Sequence, residues 1–123
     1  MYRVSVEKSF DAAHYLRGYK GKCESMHGHR FRVLVSVRAS TLDDIGLAYD
    51  FTDLKKHLGD VLERFDHTCL NEVPPFDKIN PSSEHIAATI YKEIKAKLTG
   101  SPVVPESVEV WETPYQGIVY KPD

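Results

Sequence analysis

A chain of 123 residues, 41% hydrophobic and 28% charged, is one domain's worth of an ordinary globular protein, long enough to bury roughly two-thirds of its unfolded surface. Its net charge of −2 excludes the broad basic surface of a nucleic-acid or anionic-membrane binder; only Arg30, Arg32 and Arg38 gather along one segment. It has no run of about 18 apolar residues to span a bilayer, and MYRVSVEKSF carries no signal-peptide apolar region. These features predict a cytoplasmic protein with reduced thiols, and argue against a bridge between Cys23 and Cys69.

Residues 2–9 alternate, with Val4 and Val6 on one face, and read as a strand. From 30 to 39 the alternation is cleaner: Phe31, Val33, Val35 and Val37 share one face, and Arg30, Arg32, Ser36 and Arg38 share the other. Residues 51–65 switch to helical spacing through Leu54, Leu58, Val61, Leu62 and Phe65, with Asp50 as N-cap. A second helix is predicted over 82–98, where Ile86, Ile90, Ile94 and Leu98 recur a turn apart. Asn80, Pro81 and Ser82 mark its start and Gly100 its end. Strands over 106–113 and 117–121, joined by a turn at 114–117, complete the sequence.

No repeat, linker or low-complexity tract divides residues 1–123, so one domain is expected. Strands adjacent at both ends predict an α+β domain: a four-stranded antiparallel sheet with two helices packed on one face. Such a sheet has open edges that must be covered or paired.

The chemistry concentrates in KCESMHGHRF, residues 22–31. On a strand, His27 and His29 point the same way, about 6.6 Å apart at Cα, toward the apolar side that carries Phe31. Gly28 between them leaves room for close approach of another group. Imidazoles on a core-facing surface need partners for their ring nitrogens, and Zn²⁺ is an efficient one. His14, in SFDAAH, is the third ligand if a hairpin returns it beside the second strand. His57, among Lys55, Lys56 and Asp60, reads as solvated, and His85 as structural or surface. Adding Cys23 to the three histidines makes a closed structural zinc site, whereas three histidines alone leave a fourth position for water or substrate. Spacing does not separate these two.

Glu112, in VEVWET, shares a strand face with Val108 and Val110 and needs donors there; two parallel N–H groups would satisfy it bidentately. In FDHTCLN, His67 suits proton transfer. Adjacent side chains diverge, so whether Asp66 orients it stays open at this level. Cys69 reads as a small buried residue.

Taken together, SFDAAH, CESMHGH, YDFTDLK, FDHTCLN, NPSSEHIA and VWET resemble, in that order, the 6-pyruvoyltetrahydropterin synthase / 6-carboxytetrahydropterin synthase family, covering residues 9–113. The resemblance implies the tunnelling fold, with four-stranded sheets joined around a trimeric barrel and two trimers stacked as a homohexamer. It implies that His14, His27 and His29 hold a catalytic Zn²⁺, that Cys23 is the general base rather than a ligand, and that His67 with Asp66 supports proton transfer. Glu112 would anchor the pterin ring and join the charge relay. Ser82, Ser83 and Glu84 would form a pterin-contacting stretch contributed across a subunit boundary, with serine at Ser82 where the family usually has threonine. The implied substrate is 7,8-dihydroneopterin triphosphate, with no nucleic-acid or membrane partner.

The preferred expectation is the carboxy branch, releasing acetaldehyde and triphosphate on a route to queuosine and other deazapurines. The alternative is the pyruvoyl branch, which feeds tetrahydrobiopterin. The remote one is a non-catalytic binding module stabilised by a closed Cys-His₃ zinc site.

Overall fold

The computed structural model describes residues 1–21 and 25–123. Lys22, Cys23 and Glu24, and with them every expectation that falls on Cys23, lie outside the described residues.

Two long strands, β1 (Tyr2–His14) and β2 (His27–Ala39), form an antiparallel pair in continuous register from Tyr2↔Ala39 to His14↔His27. Both run further toward the histidines than their alternation alone indicates. Phe10, Ala12 and His14 continue the buried side of β1, and the ladder with β2 gives their backbone groups partners to the end. Helix α1 (Phe51–Leu62) starts where Asp50 accepts the Thr52 N–H at 2.8 Å. It ends three residues earlier than its apolar spacing predicts, because the backbone turns at Glu63–His67 to reach the sheet.

Among the described residues the sheet has five strands rather than the expected four. The extra one, β3 (Thr68–Cys69), pairs parallel with β1 at Ala12 and Ala13. Two residues are too few to show alternation, so nothing in the local pattern announces it. Helix α2 (Ser83–Lys97) is capped by the Ser82 hydroxyl, which accepts the His85 N–H at 3.1 Å. Strands β4 (Val104–Thr113) and β5 (Gln116–Tyr120) complete the order β3-β1-β2-β4-β5, all antiparallel except the β3–β1 pair.

Both helices pack on one face of the sheet. Phe31, Val33, Val35 and Val37 of β2, with Val108 and Val110 of β4, are wholly buried against Leu54, Leu58, Ile86, Ile90 and Ile94. Each such side chain contributes about 1.5–3 kcal/mol on burial. The other face carries the arginines. Arg30 pairs with Asp11, and Arg32 lies 5.5 Å over the Trp111 ring. Gly117 is what lets that indole lie flat on β5, since a Cβ there would sit 2.6 Å from Trp111 Cγ. Gly28 is different, because a Cβ at that position would meet only the Ala12 carbonyl at 3.8 Å, an ordinary contact. No helix among the described residues is long and apolar enough to cross a membrane.

Candidate functional site

The end of the β1–β2 hairpin gathers three imidazoles. His14 and His27 are cross-strand partners, and His29 stands two residues along β2 on the same face. Ring centroids are 4.6 Å apart for His14 and His27, 4.8 Å for His27 and His29, and 5.4 Å for His14 and His29. Phe31 packs edge-on against His14 and His29, at 5.2 and 5.6 Å, and closes the apolar side.

Hydrogen bonds decide which nitrogen each ring offers. His14 Nδ1 lies 2.7 Å from the Pro81 carbonyl and His27 Nδ1 lies 2.7 Å from the Ser25 carbonyl. A carbonyl can only accept, so both Nδ1 atoms carry a proton, and in the neutral ring the lone pair is on Nε2. His14 is 1% exposed, and its Nε2 has no hydrogen-bond partner among the described residues. An orphaned buried acceptor of this kind costs about 1–3 kcal/mol unless something occupies it. Burial holds the His14 and His29 imidazoles below their ordinary pKa, which keeps them neutral. Donor atoms of His14, His27 and His29 all lie within 4.8 Å of one another. Two rings held neutral by burial, Nδ1 protons fixed on His14 and His27, and a buried Nε2 with no partner among the described residues fit a divalent metal of zinc type.

Glu112 stands half-buried at the rim. Its Oε1 is 3.6 Å from His14 Nε2, too long for a good hydrogen bond, and its Oε2 accepts from Gln116 Nε2 at 3.0 Å. The carboxylate therefore has accepting capacity to spare. Ser82, Ser83 and Glu84 line a cleft of about 180 Å³ together with Glu112 and Leu16, all within one protomer. A larger hollow of about 700 Å³ surrounds Arg38, Lys95 and Lys121 and contains none of the residues singled out from the sequence as site residues.

Asp66 and His67 form a separate cluster at the β1 edge with Asp11, whose side chain leaves the opposite face of β1 from His14. Whether these neighbours meet is open in the sequence; in the fold His67 Nδ1 and Asp66 Oδ2 are 3.0 Å apart. The backbone explains it. His67 adopts φ 60°, a left-handed conformation, with its N–H donating to the Asp11 carbonyl at 2.6 Å. Asp66 Oδ1 accepts the Asp11 N–H at 2.9 Å, and this bond holds the Asp66 carboxyl below the usual carboxylate range. Arg30 grips the Asp11 carboxylate through Nε and Nη2 at 2.9 and 3.1 Å.

His57 is not simply solvated, since its Nε2 meets the Tyr49 hydroxyl at 3.1 Å. His85 is exposed and donates from Nδ1 to the Asn80 carbonyl at 2.7 Å. Cys69 is a free, half-buried thiol. Sequence reasoning missed the parts played by Asp11, Arg30 and the Pro81 carbonyl. The first two sit in plain alternating strands, and a backbone carbonyl has no side-chain signature.

The family model described as 6-pyruvoyl tetrahydropterin synthase matches residues 3–123. The chain is 34% identical to the 6-carboxy-5,6,7,8-tetrahydropterin synthase of Bacillus subtilis, an alignment covering 98% of this chain and 86% of that one. It is 38% identical to the enzyme of the same name from Synechocystis, covering 92% and 88%. Among solved structures, the 6-pyruvoyl tetrahydropterin synthase of Caenorhabditis elegans superposes with a TM-score of 0.83 at 32% identity, covering 100% of this chain and 98% of that one.

Proposed function

The chain belongs to the 6-pyruvoyl tetrahydropterin synthase family, and on that premise we propose that it is a zinc-dependent 6-carboxy-5,6,7,8-tetrahydropterin synthase formed by one domain over residues 1–123. It converts 7,8-dihydroneopterin triphosphate and one water to 6-carboxytetrahydropterin, acetaldehyde and triphosphate, the water supplying the second carboxylate oxygen. The observation that carries the reading is the buried Nε2 of His14, without a hydrogen-bond partner among the described residues, beside a half-buried carboxylate, Glu112. A metal satisfies the first and a ring bearing paired N–H groups satisfies the second. The names of the Bacillus and Synechocystis relatives support the carboxy branch. The name of the Caenorhabditis protein supports the pyruvoyl branch as the second reading.

His14, His27 and His29 would hold Zn²⁺, which when bound supplies Lewis acidity toward the side-arm hydroxyls of the substrate. Glu112 takes two pterin N–H groups, bidentate and charge-assisted, so the ring is held in one orientation. Ser82, Ser83 and Glu84 share its cleft and border the same ring. Cys23 Sγ, as thiolate, removes a carbon-bound proton from the substrate's side arm, and the reducing cytoplasm keeps that thiol free. His67, oriented by Asp66, returns a proton.

That last pair sits apart from the imidazole cluster within one protomer. It therefore serves a site completed by a second copy, as the homohexamer of stacked trimers provides. The β5 edge and the stretch of β1 beyond its two-residue pairing with β3 are the surfaces such copies would join.

The test is a product assay on zinc-loaded protein with 7,8-dihydroneopterin triphosphate, run beside Cys23→Ala. Acetaldehyde and a carboxylated pterin are expected from the parent protein. A pyruvoyl product without acetaldehyde moves the assignment to the other branch. Cys23→Ala is expected to keep zinc and fold while losing turnover by orders of magnitude. Loss of metal and stability together would instead mark a closed structural site.

A further inference from the structure

The segment that follows His14 is tied down more heavily than its length requires. Tyr15 N–H donates to Asn71 Oδ1 at 3.0 Å, and Asn71 Nδ2 donates back to the Tyr15 carbonyl at 3.0 Å. Two residues on, Arg17 N–H donates to Asn80 Oδ1 and Asn80 Nδ2 donates to the Arg17 carbonyl, both at 2.9 Å. Each asparagine thus imitates a strand partner, pairing the N–H and C=O of one residue.

The Arg17 guanidinium then fans across the loop that joins the 3₁₀ turn Leu70–Glu72 to α2. Nη2 donates to the Phe76 carbonyl at 2.9 Å and the Asn71 carbonyl at 3.3 Å, and Nη1 donates to the Ile79 carbonyl at 3.3 Å. The last of these carbonyls, Ile79, and the clamping Asn80 immediately precede Pro81. There the Pro81 carbonyl accepts from His14 Nδ1, and the Asn80 carbonyl accepts from His85 Nδ1 in the first turn of α2. Leu16, between the two asparagine clamps, lines the cleft with Ser83 and Glu112.

We propose that Arg17 is a positioning residue: by tying the carbonyls of Phe76 and Ile79 in the loop to that of Asn71 in the 3₁₀ turn, it holds the Pro81 carbonyl against His14 Nδ1, and so holds His14 Nε2 ready for the metal. The inference rests on the zinc-ligand reading of His14, His27 and His29. Its physical basis is that a metal-binding imidazole keeps its tautomer and ring angle only while the other nitrogen has a fixed acceptor. Pro81 is in a loop, and a loop carbonyl is fixed only as well as the loop is. Planar donors spread over three carbonyls match a guanidinium. A lysine ammonium on its flexible stem does not reproduce that fork.

The experiment measures the Zn²⁺ dissociation constant of the metal-free, full-length protein by competition with a chromogenic chelator. Arg17→Ala, Arg17→Lys and Arg64→Ala are compared, each beside the thermal midpoint of its metal-free form. Arg64 is a surface arginine in the turn after α1, paired with Glu93 of α2, and serves as the control. Both Arg17 variants are expected to bind zinc about tenfold more weakly, or worse. Arg64→Ala is expected to bind within about twofold of the parent. A purely structural arginine would lower the midpoint and leave zinc affinity of the folded protein intact. If Arg17→Ala does not fold, Arg17→Lys decides. Parent affinity in the Arg17 variants overturns the lock alone. A parent protein that binds no zinc overturns the ligand reading and the lock with it.

Discussion

Replacing Glu112 by glutamine changes one oxygen for an NH₂ with almost no change in volume. The carboxylate offers two acceptors to the ring, whereas the amide offers one acceptor and turns a donor toward the second ring N–H. One charge-assisted bond is lost, about 1.5–3 kcal/mol, and a donor is left facing a donor, a further ~1–3 kcal/mol. The Glu112 side chain is 19% exposed, so water offsets part of the loss. A net cost of about 3–4 kcal/mol corresponds to a fall of roughly 150- to 900-fold in kcat/KM. The metal should stay. Glu112 is among the charges that raise the pKa of His14 and His29, so removing it leaves both imidazoles more firmly neutral and competent as ligands. The assay is steady-state turnover of 7,8-dihydroneopterin triphosphate with zinc content measured on the same sample. A kcat/KM within about threefold of the parent at equal zinc would refute the anchoring role of this carboxylate.

His67→Asn is expected to lower kcat by about 10²–10⁴ with zinc content and thermal midpoint retained. Mixed with Cys23→Ala under conditions that exchange subunits, it should regain turnover; no regain would mean that both residues serve one protomer's site. Gly117→Ala forces a Cβ against the Trp111 indole and should cost about 1–3 kcal/mol of overpacking. At 123 residues that is a fall of roughly 4–12 °C in midpoint, and an unchanged midpoint would show the indole to be loosely packed. The metal-free protein should lose stability as pH falls below 6.5, the ordinary imidazole value. His14 and His29 are depressed by burial in the folded state, so the unfolded protein takes up the protons first. Above 6.5 these two groups contribute no slope. The depressed carboxylates of Asp11 and Asp66 act only in the more acid window around and below 3.8. A midpoint that holds or rises from about pH 6.5 to about 5 contradicts the burial of these rings.

Much of this protein is written in periods and caps. The alternation Phe31-Val33-Val35-Val37 determines which face of β2 is buried, because successive side chains on a strand point oppositely and only one face has helices to cover it. Asp50 and Ser82 determine where α1 and α2 begin, since each supplies an acceptor to an otherwise orphaned N–H. The same parity puts His27 and His29 on the Phe31 side before any tertiary contact is considered. Other features belong to the tertiary structure alone. The cross-strand register brings His14 to His27, and register is a property of two strands, not one. Strand β3 exists because β1 offers it an edge. The left-handed turn at His67 folds it back onto Asp66, against the rule that neighbours diverge. The Pro81 carbonyl that fixes His14's tautomer lies 67 residues away in sequence. Local sequence encodes periodicity and propensity, whereas a backbone atom delivered across that distance is set only by the packing of everything between.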